Sequence, residues 1–136
     1  MVVSVFALFV FFVANLSMTK VFVYGTLKRG CRNHHHLAGQ QFLGEARTAA
    51  GYTLYSMGNH PGMVHSTDAS HDVTGELWTV DDDCLARLDI LEGVGKKLYE
   101  RTAIQLAAPF AAEPAQAYLY LRNITGRQAI GAVWKE

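Results

Sequence analysis

Short apolar runs rich in β-branched and aromatic residues alternate along this chain with breaks dense in Gly, Asn, Asp and Pro. That pattern predicts strands separated by turns. The first run, Lys20–Tyr24, stops abruptly at Gly25-Thr26 and passes into the polar segment Lys28–Gly39. It reads as a buried strand feeding a tight loop in which Gly25 lets the backbone approach a neighbour closely. The following amides can point at an anion or a carbonyl oxygen. Asn33 is placed to N-cap a short helix over His34–Leu37. Gly51–Ser56 predicts a second strand, Met57–Gly62 a turn, Met63-Val64 a short strand and Ser66–Asp72 a loop. Val73–Val80 predicts a further strand, in which Gly75 signals a bulge or a close approach.

Asp81–Gly93 is the clearest helix. Asp81, Asp82 and Asp83 crowd its start, where caps and the positive end of the dipole favour acids. Leu85, Leu88 and Leu91 recur on one side, Cys84 joins Leu88, and Gly93 stands where a glycine cap belongs. Leu98–Leu106 and Ala117–Leu121 predict two more strands around the loop Ala107–Pro114, and the tail from Arg122 is weakly patterned. Short strands plus one good helix, without regular βαβ alternation, imply an α+β domain on a curved or closed sheet. They argue against a doubly wound parallel fold.

Composition narrows the class. Of 136 residues, 50% are hydrophobic and 18% charged, which is globular and long enough for one core. Twelve acidic residues balance twelve basic ones, with no basic stripe, so nothing points to nucleic acid. Two cysteines, Cys31 and Cys84, make no disulfide framework, and a reducing, cytoplasmic setting is the default. The apolar stretch Met1–Leu16 falls short of the roughly 20 apolar residues of a spanning helix. It also lacks the positive start of a secretory signal. Residues 1–17 are therefore expected to be an extension upstream of a natural start at Met18, with 18–136 the single domain. The alternative is a weak signal, or a membrane anchor formed by Val2–Val13.

Few residues suggest chemistry. Glu92 closes the helix at the negative end of its dipole, where a carboxylate is disfavoured by about 0.3–1 kcal/mol. If buried, it would have a raised pKa, suited to taking and giving a proton near neutrality; otherwise it is an exposed residue of a frayed turn. Glu76 shares a strand face with Trp78 and is expected to be solvent-exposed. Asp89, mid-helix and one residue off the apolar stripe, is expected to play a structural role, pairing with Lys or Arg or capping a loop. The run His34-His35-His36, with His60, His65, His71 and Cys31, has no metal-ligand spacing, so no metal site is expected. There is no GxSxG, and the Gly25 loop lacks the glycines and GK[ST] ending of a P-loop. The tyrosines and Trp78 read mostly as core, with one or two free to line a pocket.

Together these pieces resemble the gamma-glutamylcyclotransferase-like family, especially its gamma-glutamylamine cyclotransferase branch and small bacterial relatives. Phe22-Val23-Tyr24-Gly25-Thr26-Leu27-Lys28-Arg29-Gly30, then Asn33-His34 and Leu37, is similar to that branch's opening motif. Gly75-Glu76-Leu77-Trp78, Val80-Asp81, Leu85, Leu88-Asp89 and Leu91-Glu92-Gly93 resemble its second, with Tyr99-Glu100-Arg101 and Tyr118–Tyr120 following in order. The resemblance implies a small mixed β-barrel flanked by helices, with a pocket at one end. It implies an amine-releasing lyase that cyclises a γ-glutamyl amide to 5-oxoproline without a cofactor. Glu92 would be the general base and acid, and Tyr24, Gly25, Thr26 and Leu27 would bind the glutamyl group. Gly93–Leu98 replaces a proline-containing link often seen in the family, and the His-rich stretch Gly58–Ser70 is expected to govern substrate choice. A non-catalytic module that binds small molecules on the same fold is the alternative.

Overall fold

The computed structural model describes residues 17–136, so the apolar segment 1–17 lies, apart from Ser17, outside the described residues. The elements are β1 (Met18–Val23), β2 (Gln41–Arg47), β3 (Tyr52–Ser56), β4 (Pro61–His65), β5 (Thr74–Asp81), α1 (Asp82–Leu91), β6 (Tyr99–Ile104), β7 (Ala115–Tyr120) and β8 (Ala129–Gly131). Short 3₁₀ turns occupy His34–Leu37 and Val94–Lys96.

The strands make one mixed sheet in the order β2-β5-β1-β7-β4-β3-β8, with β6 on β7. β1 is central: it pairs antiparallel with β5 from Met18↔Asp81 to Val23↔Glu76 and parallel with β7 at Val21↔Gln116. β7 changes partner along its length, meeting β4 at Met63↔Leu119 while β6 takes an antiparallel ladder on it. The period-2 alternation of β1 sends Phe22 and Tyr24 into one core cluster with Leu54, Met63, Leu77 and Leu119. Val21 and Val23 go into the other, with Trp78, Val80, Cys84, Leu85 and Leu88, where α1 packs on the sheet.

The fold is α+β, as the pattern predicts, but the sheet is not the closed barrel that the resemblance implies. Among the described residues no ladder joins the edge strands β2 and β8. β8 has only three residues and β3 meets it with a register shift between Leu54 and Tyr55, which leaves too little strand to carry a ladder onward. A lone backbone bond from Thr74 N–H to the Ala132 carbonyl (2.9 Å) spans that side. β2 and β8 are strands that the sequence pattern does not predict. β2 buries only Ala46 and is bulged between Phe42 and Gly44, so it shows no clean alternation.

α1 begins and ends as its sequence signals. Asp81 is the N-cap, its carboxylate accepting the Cys84 N–H at 2.8 Å, and Gly93 follows the helix in the left-handed region at φ 65°. Leu91 departs from the predicted stripe: it is 38% exposed, while Cys84, Leu85 and Leu88 are buried. The predicted close approach at Gly75 is present. A Cβ there would stand 2.8 Å from the Phe22 ring and press on the Val23 carbonyl oxygen, whereas one at Gly95 would meet nothing within 4 Å. Gly75→Ala should therefore destabilise the protein by about 1–3 kcal/mol, and Gly95→Ala should stay within about 0.5 kcal/mol of the wild type, in urea unfolding.

Candidate active site

The loop after β1 is held from three directions. Lys28 N–H closes a turn on the Gly25 carbonyl at 3.2 Å. Asn33 bonds Thr26 twice, backbone N–H to carbonyl and Nδ2 to Oγ1, each at 2.9 Å. It therefore fastens the loop instead of capping a helix with its side chain, as the sequence predicts. His34 Nδ1 lies 3.0 Å from the Leu27 carbonyl oxygen, and its ring packs beside Trp78. Gly25 is required because the loop runs against Pro61: a Cβ would lie 2.7 Å from the proline Cγ.

The third support is Glu76, and it corrects an expectation. Glu76 is 6% exposed, not a solvated strand residue. Its Oε1 accepts from Arg29 N–H (3.0 Å) and Trp78 Nε1 (3.2 Å), and its Oε2 accepts from Arg29 Nε at 3.0 Å. Arg29 also lies over the Phe42 ring. Alternation put Glu76 and Trp78 on one face; that face is covered by the loop.

Held this way, Gly25, Thr26 and Leu27 line a cavity of about 240 Å³ together with Tyr24, Arg32, Asn33, Asn59, His60, Pro61, Leu91, Glu92, Leu98, Tyr99 and Tyr118. Among the described residues, the N–H groups of Gly25, Thr26 and Leu27 donate to no protein acceptor, although Thr26 and Leu27 are buried. Unpaired amides in a buried wall are costly unless a ligand meets them, which makes this loop a ready site for an oxyanion or carboxylate.

Glu92 is the C-cap of α1, and the chain turns away after it through Gly93. No hydrogen bond or ion pair among the described residues reaches its carboxyl, and burial pushes its pKa up to about 7. The tyrosines around it are fully engaged. Tyr24 OH donates to the Tyr118 carbonyl (2.6 Å) and accepts from Met63 N–H (3.1 Å). Tyr99 OH donates to the Pro61 carbonyl (2.8 Å) and Tyr118 OH to Asp89 (2.7 Å). Burial raises all three phenols, and the Glu92 charge raises each further, so they stay neutral and fixed. Asp89 pairs with Arg101 at 2.8 Å, as expected of it. Against the upward push of burial, the Arg101 and Tyr118 hydrogen bonds hold its carboxyl below its ordinary range. It positions Tyr118 and stays clear of the cavity lining.

Every residue singled out in the sequence for binding or catalysis thus lines one cavity: Tyr24, Gly25, Thr26, Leu27 and Glu92. Two of the tyrosines free to line a pocket, Tyr99 and Tyr118, do so, and Asn59 and His60 bring in the His-rich stretch. Arg32 is the lining residue that sequence reasoning passed over; its place next to the opening motif was the available signal. Among the described residues no three His, Cys, Asp or Glu side chains gather in a metal-binding group, and no helix is long and apolar enough to cross a membrane.

The family model described as gamma-glutamyl cyclotransferase, AIG2-like, matches residues 21–135, and the chain belongs to this family. A Vibrio cholerae protein provisionally named a gamma-glutamylcyclotransferase is 41% identical over 79% of this chain and 84% of its own length. The rat gamma-glutamylaminecyclotransferase is 38% identical over 65% of this chain and 64% of its own. Among solved structures, the uropathogenic Escherichia coli protein c4763 aligns with a TM-score of 0.70 at 29% identity, over 85% of this chain and 89% of that one. A mouse AIG2-like protein aligns at 0.61 and 32% identity, over 77% of each chain.

Two stability measurements test the site's construction. Glu76→Ala strands Arg29 N–H and the Trp78 indole without an acceptor and should cost about 2–4 kcal/mol, whereas Glu45→Ala, on the exposed side of Arg29, should cost under about 0.5 kcal/mol. Glu92 binds its proton more tightly folded than unfolded, since burial lifts its pKa from 4.5 to about 7. Its contribution to stability is therefore full below pH 4.5 and is lost as pH rises through about 7. Glu92→Gln should flatten that decline and stabilise the protein at pH 8 by up to about 3 kcal/mol, read from unfolding at several pH values.

Proposed function

We propose that this protein cyclises γ-glutamyl amines or γ-glutamyl amino acids to 5-oxoproline and releases the free amine, with Glu92 as the proton acceptor and donor. The observation that carries the reading is the unpartnered Glu92 carboxyl, with a pKa of about 7, sharing a cavity with the unpaired Gly25–Leu27 amides. The family and its relatives' names support the general activity. At about 240 Å³ the cavity is smaller than the roughly 300–1,000 Å³ of pockets for drug-sized ligands, which suits a glutamyl group better than a nucleotide cofactor.

The substrate carries its own nucleophile, the α-amino group, so no serine or cysteine is needed. That group is an ammonium at neutral pH. Glu92, half ionised near pH 7, takes one proton and frees the lone pair to attack the γ-carbonyl carbon. The carbonyl oxygen becomes an oxyanion, and the amides of the Gly25–Leu27 loop are the donors available to it. The C–N bond to the departing amine then breaks. Both protons shed by the α-nitrogen end on that amine, one through Glu92, so the carboxyl returns to its starting state and no water or cofactor is consumed. The engaged hydroxyls of Tyr24, Tyr99 and Tyr118 keep the walls rigid, so the substrate can be held in its folded, ring-closing shape, a proximity effect potentially worth several kcal/mol.

Purified protein incubated with γ-glutamyl substrates should release 5-oxoproline, and Glu92→Gln should lower kcat at least about a hundredfold while the fold persists. The kcat/KM of the wild type should rise with pH through about 7 as Glu92 ionises and then level off. Turnover surviving Glu92→Gln would remove Glu92 from this role. Binding without turnover across a broad substrate panel would favour the non-catalytic alternative.

A further inference from the structure

The cavity holds a second charge that the cyclisation does not use. Arg32 lines it but is exposed, on the turn just before Asn33. Its backbone N–H donates to Glu136 Oε1 at 2.9 Å and its Nη2 donates to the Asn59 carbonyl, so the backbone is tied to Glu136 and the guanidinium to a second lining residue. Among the described residues no carboxylate forms an ion pair with the guanidinium. Glu136 feels the Arg32 charge but commits its oxygens to the Arg32 N–H and the Trp134 indole. Beside it, burial and then the charges of Arg32 and Arg127 hold His60 below its ordinary pKa.

Arg32 and Glu92 share the cavity without serving each other: burial alone sets the Glu92 proton affinity, with no guanidinium to lower it. The glutamyl α-ammonium and α-carboxylate sit on one carbon. A group whose amine reaches Glu92 therefore keeps its own carboxylate close by, and the three free amides of Gly25–Leu27 divide between that carboxylate and the γ-carbonyl oxygen. The departing amine must extend the other way, toward the mouth. Resting on the cyclotransferase reading, we propose that Arg32 is a specificity-determining residue that binds a carboxylate on the departing amine, so that γ-glutamyl amino acids are preferred over γ-glutamyl alkylamines. Arg suits the task because its planar fork stays charged and matches a carboxylate. Leu91 and Leu98 add apolar lining for the body of the departing amino acid, and this explains why Leu91 leaves the buried stripe of α1.

γ-Glutamyl-alanine and γ-glutamyl-ethylamine differ only by that carboxylate, so their kcat/KM values in the wild type, Arg32→Met and Arg32→Lys test the assignment. The wild type should favour the alanine substrate by about ten- to a hundredfold. Arg32→Met should erase the preference, cutting the alanine value about ten- to a hundredfold more than the ethylamine value, and Arg32→Lys should restore part of it. The ethylamine reaction doubles as the control for folding. An equal loss on both substrates would place Arg32 on the glutamyl α-carboxylate and overturn the proposal, as would a wild type that shows no preference. If neither compound yields 5-oxoproline, the cyclotransferase reading fails separately. The same comparison then reads from calorimetric Kd values of the two compounds, with equal affinities counting against Arg32.

Discussion

A buried carboxylate with both oxygens hydrogen-bonded holds the site in place. Glu76, on β5, reaches across to the chain leaving β1 and accepts from Arg29 twice and from Trp78 once. A charge taken out of water is tolerable only when it is paired and bonded this fully. Because the acceptor sits on a strand inside the sheet, the loop inherits the sheet's rigidity. Its amides are therefore held free of internal partners instead of collapsing onto the nearest carbonyl. Asn33 and His34 reinforce the same segment from the 3₁₀ turn beyond it.

Glu92 is the counterpart of Glu76, and the contrast shows how environment divides one side-chain type into two roles. Glu76 is buried and saturated with donors, which suits an anchor. Glu92 is partly buried, unpartnered and at the end of a helix whose dipole offers it nothing. The tyrosines that surround it could have donated hydrogen bonds, but each hydroxyl points its proton at a backbone carbonyl or at Asp89. With those donors turned elsewhere, burial alone sets the Glu92 proton affinity. The resulting instability at high pH is the cost of a group able to exchange protons near neutrality.

Much of this was legible in the sequence, and the gaps have physical causes. β1, β5 and β7 stand out as short apolar runs because both of their faces enter a core cluster, and α1 shows helical periodicity because it buries one face. Glu92 stood out because its position contradicts the dipole rule. β2 escaped because it is a bulged edge strand that buries one residue, and β8 because three residues carry no pattern. Alternation correctly placed Glu76 and Trp78 on one face yet could not say what covers it, since Arg29 lies 47 residues away in the chain. Arg32 offered only its place next to the opening motif, because its tether to Asn59 spans 27 residues. The open sheet was also beyond local reading, because closure depends on whether the two edges meet and not on the pattern of either.

The chain's far end completes what its beginning starts. The Lys28 ammonium donates to the Trp134 carbonyl across 106 positions, Arg32 N–H to Glu136 across 104, and Tyr24 OH to the Tyr118 carbonyl across 94. The loop after β1 therefore acquires these neighbours only from segments made much later in the chain. β1 must wait as an unpaired apolar strand until β5, and then β7, has been synthesised. The cavity lining runs from Phe22 to Tyr118, so the site comes into being only when loops this long have closed, and closing them carries an entropy cost that local contacts do not repay.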